Sequence, residues 1–219
     1  MDRRDDATNP PGRRIPGATV RRLPAYLRTL EETADARWTS SELGRRTGFS
    51  SEQVRKDLAY FGAFGTRGVG YDGRALAGQI RRILGLDAGV RAVLVGVGHL
   101  GTALANFVAR THQDVRIVGL FDVDPLKVGR EVAGTTILGL ESLDRVAAEE
   151  AASLGIITVP SDAAGAVAAR LLQAGIRGIL NFAPTALSVP ESVYVRNIDL
   201  SLELQALAYF VQAEAVTHP

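Results

Sequence analysis

The 219-residue sequence contains no cysteine. Disulfides, thiolate zinc sites and cysteine nucleophiles are excluded with it. Any sensitivity to redox state must then come through a bound ligand. Lysine is nearly missing as well: Lys56 and Lys127 are the only two, and arginine supplies the other basic side chains. No run of about 18 or more apolar residues occurs, so no transmembrane helix is expected. The opening stretch MDRRDDATNPPGRR has no apolar segment that would serve as a secretory signal. Residues 1–14 therefore read as a disordered polar arm, and the chain as cytoplasmic. Histidine is limited to His99, His112 and His218, and no tyrosine is followed by lysine four positions later. Carbonyl reduction needs a positioned proton donor, and these patterns offer little for one. No catalytic residue and no metal site is assigned.

What is present is ordinary in bulk and uneven in distribution. Hydrophobic residues make up 46% and charged residues 22%, as in a folded globular protein of one or two domains. Residues 1–86 hold 16 Lys and Arg against 10 Asp and Glu, a net +6, and residues 87–219 hold 9 against 14, a net −5. A basic block beside an acidic one points to a polyanion partner for the first block alone.

The region 15–86 reads as short helices with a hairpin. Val20, Leu23, Tyr26, Leu27 and Leu30 recur at helical spacing and predict an amphipathic helix over 19–34, with Pro24 in its opening turns. Thr39-x-x-Glu42 and Ser50-x-x-Gln53 are capping-box patterns. They open two short helices, separated by a turn containing Gly48, in a helix-turn-helix arrangement. The glycine-dense stretch 61–71 suits a tight hairpin, and a helix over about 73–85 follows. Together these make a winged helix.

From about 87 the pattern changes to alternating strands and helices. Apolar runs at 91–97, 115–121, 154–159, 177–182 and 193–197 are separated by helical patterns at 99–111, 141–150 and 161–174. This predicts a Rossmann-like, doubly wound parallel sheet over 87–198, covered on both faces. The last segment, 199–219, begins a helix at Asp199. Leu200, Leu202, Leu204, Leu207, Phe210 and Val211 make it apolar over much of its circumference, so it must bury against something large, such as a partner subunit.

The chemistry concentrates in Gly96-Val97-Gly98-His99-Leu100-Gly101, between a strand-like run and a helix. In such a loop Gly96 permits the tight turn, Gly98 lets the backbone approach a pyrophosphate, and Gly101 lets helix and strand pack closely. Free amides at the helix start favour phosphate. Asp122, 21 positions after Gly101 at the end of the next strand, matches the acidic residue that binds the ribose hydroxyls of NAD and disfavours NADP. Thr158-Val159-Pro160 and the loop opened by Asn181 follow apolar strands and are candidates for the nicotinamide end. In the basic block, Arg55 and Lys56 sit mid-helix as candidate DNA contacts, and Ser50 and Gln53 at the start of the same helix are counted with them. Arg67, between glycines at the hairpin tip, has the shape of a minor-groove probe. Asp57 would repel phosphate and is expected to face inward or to make an internal pair.

The run Ser51-Glu52-Gln53-Val54-Arg55-Lys56-Asp57-Leu58, then Tyr60-Phe61-Gly62 and Gly65-Thr66-Arg67-Gly68-Val69-Gly70-Tyr71, resembles the Rex family of redox-sensing transcriptional repressors. Phe121-Asp122-Val123-Asp124-Pro125 with Lys127-Val128-Gly129, Asn181-Phe182-Ala183-Pro184 and Asn197-Ile198-Asp199-Leu200 fit the same family, and the likeness runs from about 19 to 212. The resemblance implies a homodimer that exchanges its C-terminal helix between subunits and binds a palindromic double-stranded operator of respiratory and fermentative genes. It implies release by NADH, with NAD+ competing without causing release. It places DNA contacts at Arg55, Lys56 and Arg67, and a switch at Arg28 and Asp199. Phe107 stands where some members have a tyrosine, so any bond made by that hydroxyl is absent here. Three other readings remain open on the residues alone. They are an NAD-dependent oxidoreductase with an accessory basic domain, an interaction module with an empty core, and a DNA-binding protein whose ligand is a coenzyme A derivative.

Overall fold

The computed structural model describes residues 15–33, 37–61, 65–66, 70–111 and 114–217. The predicted arm over 1–14, the wing-tip candidate Arg67, His112 and His218 lie outside the described residues. The chain divides into two compact units, one ending at Ala88 and the other beginning at Gly89.

In the first unit, α1 (Gly17–Glu32) buries Leu23, Tyr26, Leu27 and Leu30. Pro24 departs from expectation. The helix begins two residues earlier than the apolar spacing marked, so Pro24 is an interior residue rather than one of the opening turns. It cannot donate to the carbonyl four residues back, which belongs to Val20. Both residues are exposed, so solvent can satisfy that carbonyl. A two-residue strand, β1 (Arg37–Trp38), leads into α2 (Ser40–Thr47) and α3 (Ser51–Ala59). The Thr39 hydroxyl accepts the Glu42 amide at 3.1 Å, and the Ser50 hydroxyl accepts the Gln53 amide at 3.1 Å. Gly48 ends α2 at φ +77°, a conformation costly for a residue with a Cβ. The hairpin of β2 (Gly65–Thr66) and β3 (Gly70–Asp72) follows, then α4 (Gly73–Ile83). β1 pairs with β3 and completes a three-stranded antiparallel sheet, a strand too short to show in the apolar pattern. A Cβ on Gly70 would strike the Trp38 carbonyl, so this pairing requires glycine. Leu30, Trp38, Leu43, Val54 and Ile80 close one core with no more than 1% exposure. Each such side chain contributes roughly 1.5–3 kcal/mol. The result is a winged helix.

The second unit opens with β4 (Val90–Val95), α5 (His99–Thr111) and β5 (Val115–Asp122). It continues through β6 (Glu131–Val132), β7 (Thr135–Gly139), α6 (Leu143–Glu149), β8 (Leu154–Ile157), α7 (Ser161–Gln173), β9 (Gly178–Asn181) and β10 (Tyr194–Asn197). It ends in α8 (Leu200–Thr217). The strand order is β10-β9-β8-β4-β5-β7-β6. Six strands are parallel. β6 runs antiparallel to β7 at the edge, a correction to the wholly parallel sheet expected. β7 itself was not anticipated. It follows β5 through turns and the β6 hairpin rather than through a crossover helix, so no strand–helix alternation announces it.

The two faces are covered unequally. Buried residues of α6 and α7 pack with Val93, Phe121, Ile157 and Ile179 on one face. On the other face Ala105 of α5 packs with Ala92, Leu94, Leu120 and Ile156. All large apolar side chains described on α8 are exposed, Leu200 to Val211 by 59–69%.

Candidate nucleotide and nucleic-acid sites

The chain leaves β4 in one direction towards β5 and β7 and in the other towards β8 and β9, which makes a switch point at the strand ends. Ligands of open α/β sheets lie in such crevices. The loop 96–101 sits there. Gly96 has φ +99°, and a Cβ on it would come within 2.7 Å of the Thr158 carbonyl and the Val159 side chain. A Cβ on Gly101 would collide with the Gly96 carbonyl. The protein's own packing therefore demands the first and third glycines. Gly98 is different, because nothing lies within 4 Å of where its Cβ would be. That opening leaves the protein backbone at Gly98 accessible to a ligand.

The first amides of a helix have no intrahelical acceptor and carry a positive partial charge. No acidic residue neutralises the first turn of α5. Gly98, His99 and Thr102 line a cleft of about 620 Å³, completed by Lys127, Arg130, Glu131, Val132 and Ile137. The missing crossover helix between β5 and β7 is what leaves this space open. The loop thus fits a dinucleotide phosphate, with Gly96 to Gly101 as cradle.

Asp122 is buried at the end of β5. Its carboxylate accepts the Val97 amide at 2.8 Å, the Asp124 amide at 2.9 Å and the Lys127 ammonium at 2.9 Å. Burial pushes its pKa up, but the Asp124 amide, Lys127 and the Val97 amide outweigh it and hold the carboxyl below the usual range. Asp122 therefore shapes the glycine loop, and it is its partner Lys127, not Asp122 itself, that lines the cleft. Lys127 was not singled out as a site residue. Its distance from Asp122 depends on the turn geometry over 123–130, which no spacing rule encodes.

The nicotinamide-end candidates have definite roles in the loops. The Thr158 hydroxyl donates to the Gly96 carbonyl at 2.7 Å and ties the β8 loop to the glycine loop. Val159 is half-buried and Pro160 exposed at the start of α7. Asn181 is fully buried. Its amide donates to the Thr185 carbonyl and to Asn197 Oδ1, each at 2.9 Å, while its Oδ1 accepts the Ala183 amide at 3.0 Å. It braces its own loop and the neighbouring strand. Leu100 is exposed on the first turn of α5.

In the first unit, Arg55 and Lys56 are exposed on α3. Arg55 Nη1 donates to the Ser40 hydroxyl at 3.2 Å. Ser50 is spent as a cap, and the Gln53 amide turns inward to Asp57 at 2.9 Å. Asp57 has no exposure. It accepts Arg22 Nε at 2.6 Å and Nη2 at 2.7 Å, the Tyr26 hydroxyl at 2.8 Å and the Thr19 hydroxyl at 3.0 Å. Sequence reading placed Asp57 inward but missed these partners, which come from α1, more than 30 residues away.

Burial raises the Asp57 pKa, but Arg22, Tyr26, Thr19 and Gln53 more than offset it, so the carboxyl stays below its usual range. A carboxylate depressed on folding stabilises above its unfolded pKa, near 3.9, and loses that stability as pH falls through the folded value. Melting temperatures of the wild type should fall as pH drops below about 4. Asp57→Asn, less stable at neutral pH, should fall less steeply there. Parallel slopes in thermal melts by circular dichroism would refute this.

Of the switch candidates, Arg28 is exposed on α1 and Asp199 accepts the Ser201 amide at 2.9 Å as a cap of α8. Phe107 lies on α5, 54% exposed.

Residues 14–59 match the family model described as Putative DNA-binding protein N-terminus, and residues 88–185 the model described as CoA binding domain. The redox-sensing transcriptional repressor Rex of Natranaerobius thermophilus is 44% identical over 202 residues, spanning 91% of this chain and 92% of that protein. The chain belongs to the Rex family of redox-sensing transcriptional repressors. The crystal structure of RSP in complex with beta-NAD+ and operator DNA superposes with a TM-score of 0.84 at 34% identity, covering 94% of this chain and 96% of that one. RSP in complex with beta-NADH matches at a TM-score of 0.81 and 32% identity, covering 94% and 98%. Membership in a repressor family sets aside the oxidoreductase reading. Among the described residues no helix is long and apolar enough to cross a membrane, and no group of three His, Asp or Glu is placed to hold a metal ion.

Proposed function

We propose that this Rex-family chain is a cytoplasmic homodimer that represses respiratory and fermentative genes and is released from its operator by NADH. The carrying observation is the glycine loop. Packing explains Gly96 and Gly101, and the open side of Gly98 at the start of α5 leaves room for a ligand. The relatives solved with beta-NAD+ and beta-NADH support a nicotinamide dinucleotide as that ligand. In this reading the segment Gly96 to Gly101 holds the pyrophosphate, Asp122 faces the adenosine ribose, and Thr158, Val159 and Pro160 border the nicotinamide end, with Asn181 bracing that side. The winged helix 15–86 reads DNA through Arg55, Lys56 and the wing residue Arg67. Ser50 and Gln53 hold the start of α3. The exposed apolar α8 is exchanged with the partner and covers the thinly protected α5 face. Arg28, Asp199 and Phe107 contribute to the switch between states.

Fluorescence anisotropy of a labelled palindromic operator, titrated separately with NADH and NAD+, tests this reading. Release by NADH at concentrations where NAD+ has little effect is expected. Binding indifferent to both nucleotides would overturn it and return the coenzyme A alternative.

Arg55→Ala and Lys56→Ala should each weaken operator binding by about tenfold while leaving NADH affinity unchanged. A side chain that contacts phosphate also lowers the slope of log affinity against log salt by about one on removal. Salt titrations of the two variants separate the backbone contact from the base contact. Full affinity in both variants would remove α3 from the interface.

A further inference from the structure

We infer that Asp57 is a positioning residue that locks the recognition helix α3 to α1 at a set rotation and passes the nucleotide signal between them. This rests on the repressor reading above.

The backbones of the two helices do not pack closely. α1 lies mainly on α4 and α2, and α3 lies on α2. Long side chains bridge the gap instead. Arg22 and Tyr26, one turn apart on α1, reach the same carboxylate, and Thr19 joins them from the preceding turn. Gln53 supports it from α3 itself. Five donor atoms fill one carboxylate in a bidentate, charge-assisted arrangement.

Buried ion pairs stabilise weakly, because desolvation offsets the attraction. Their directional bonds add to the apolar packing of Val54 and Leu58 in resisting rotation about the helix axis. Asp57 and its neighbours Arg55 and Lys56 share one short helix, so the inward carboxylate sets where the outward cations point. A helix with side chains has a radius of about 5–6 Å, so a rotation of about 20° moves a contact by about 2 Å. That displacement breaks a bidentate base contact. α1 also carries Arg28, the proposed switch residue, on its exposed side. A force on α1 therefore reaches α3 through Asp57.

The test uses the full chain, with Arg22→Met, Tyr26→Phe and Asp57→Asn beside the wild type. Tyr26→Phe keeps the ring that packs edge-on against Phe49 at 5.7 Å and removes one donor. Four quantities are read: melting temperature, NADH affinity, preference for a selected palindromic operator over random duplex, and the ratio of operator Kd with and without saturating NADH. Folded variants should keep NADH affinity, lose about tenfold in operator preference, and show a Kd ratio moving towards one. A merely structural role would lower the melting temperature and leave preference and ratio as in the wild type, which overturns the proposal. So does failure of all three variants to fold. If the wild type ignores NADH, the repressor reading fails on its own, and operator preference still decides whether Asp57 positions α3.

Discussion

A chain carrying Gly101→Ala should bind its operator as the wild type does and should no longer be released by NADH. The added methyl has no free direction. It is aimed at the Gly96 carbonyl and approaches the Thr158 hydroxyl at 2.9 Å. Both belong to the loops that frame the nucleotide, and the Thr158 hydroxyl already holds the Gly96 carbonyl. Relief comes only by moving α5 away from β4, which spoils the alignment of its first amides. Overpacking of this kind costs about 1–3 kcal/mol, or roughly 5- to 150-fold in nucleotide affinity. The winged helix is a separate compact unit with its own core, so operator affinity should stay within about twofold of wild type. Gly98→Ala provides the contrast. Its Cβ meets no protein atom within 4 Å, so the fold should be untouched and any loss is a clash with the ligand itself. Isothermal titration with NADH, with anisotropy on the operator, checks both. Wild-type NADH affinity in Gly101→Ala would refute the cradle.

The second large effect concerns α8. Leu207→Glu combined with Phe210→Glu should convert the dimer to monomers and weaken operator binding by at least about 100-fold. A helix that is apolar all round is stable in water only when buried, and α8 exposes its large apolar side chains on every side. The two substituted positions lie one turn apart on one face. Burying their carboxylates in a subunit interface is far costlier than losing the apolar contact alone. Operator binding suffers because one winged helix reads one half-site, and a palindrome rewards two held at a set separation. Sedimentation at micromolar concentration gives the mass directly. A dimer that survives both substitutions would place the subunit interface elsewhere.

Much of this architecture is legible in the sequence for a simple reason. Gly96, Gly98 and Gly101 fall within one six-residue loop, so their chemistry is written in their spacing. The same holds for the caps at Thr39 and Ser50. What could not be read depends on contacts between distant segments. Nothing local to Asp57 names Arg22, Tyr26 and Thr19 as its partners. Lys127 reaches Asp122 through turns whose path no periodicity reports. β7 went unseen because no helix precedes Thr135–Gly139, so no strand–helix alternation marks it. Asn181 was correctly placed at a strand end. Only coordinates show that its amide is consumed within the loop.

The two lysines have a further consequence, for chemical labelling. Lys56 is exposed on α3 and Lys127 is 34% exposed at the mouth of the nucleotide cleft. With arginine unreactive towards acylating reagents, each compact unit carries a single side-chain amine, and each amine stands at one of the two proposed sites. Mass spectrometry after mild acylation would therefore report both occupancies in one spectrum, with no engineered tag.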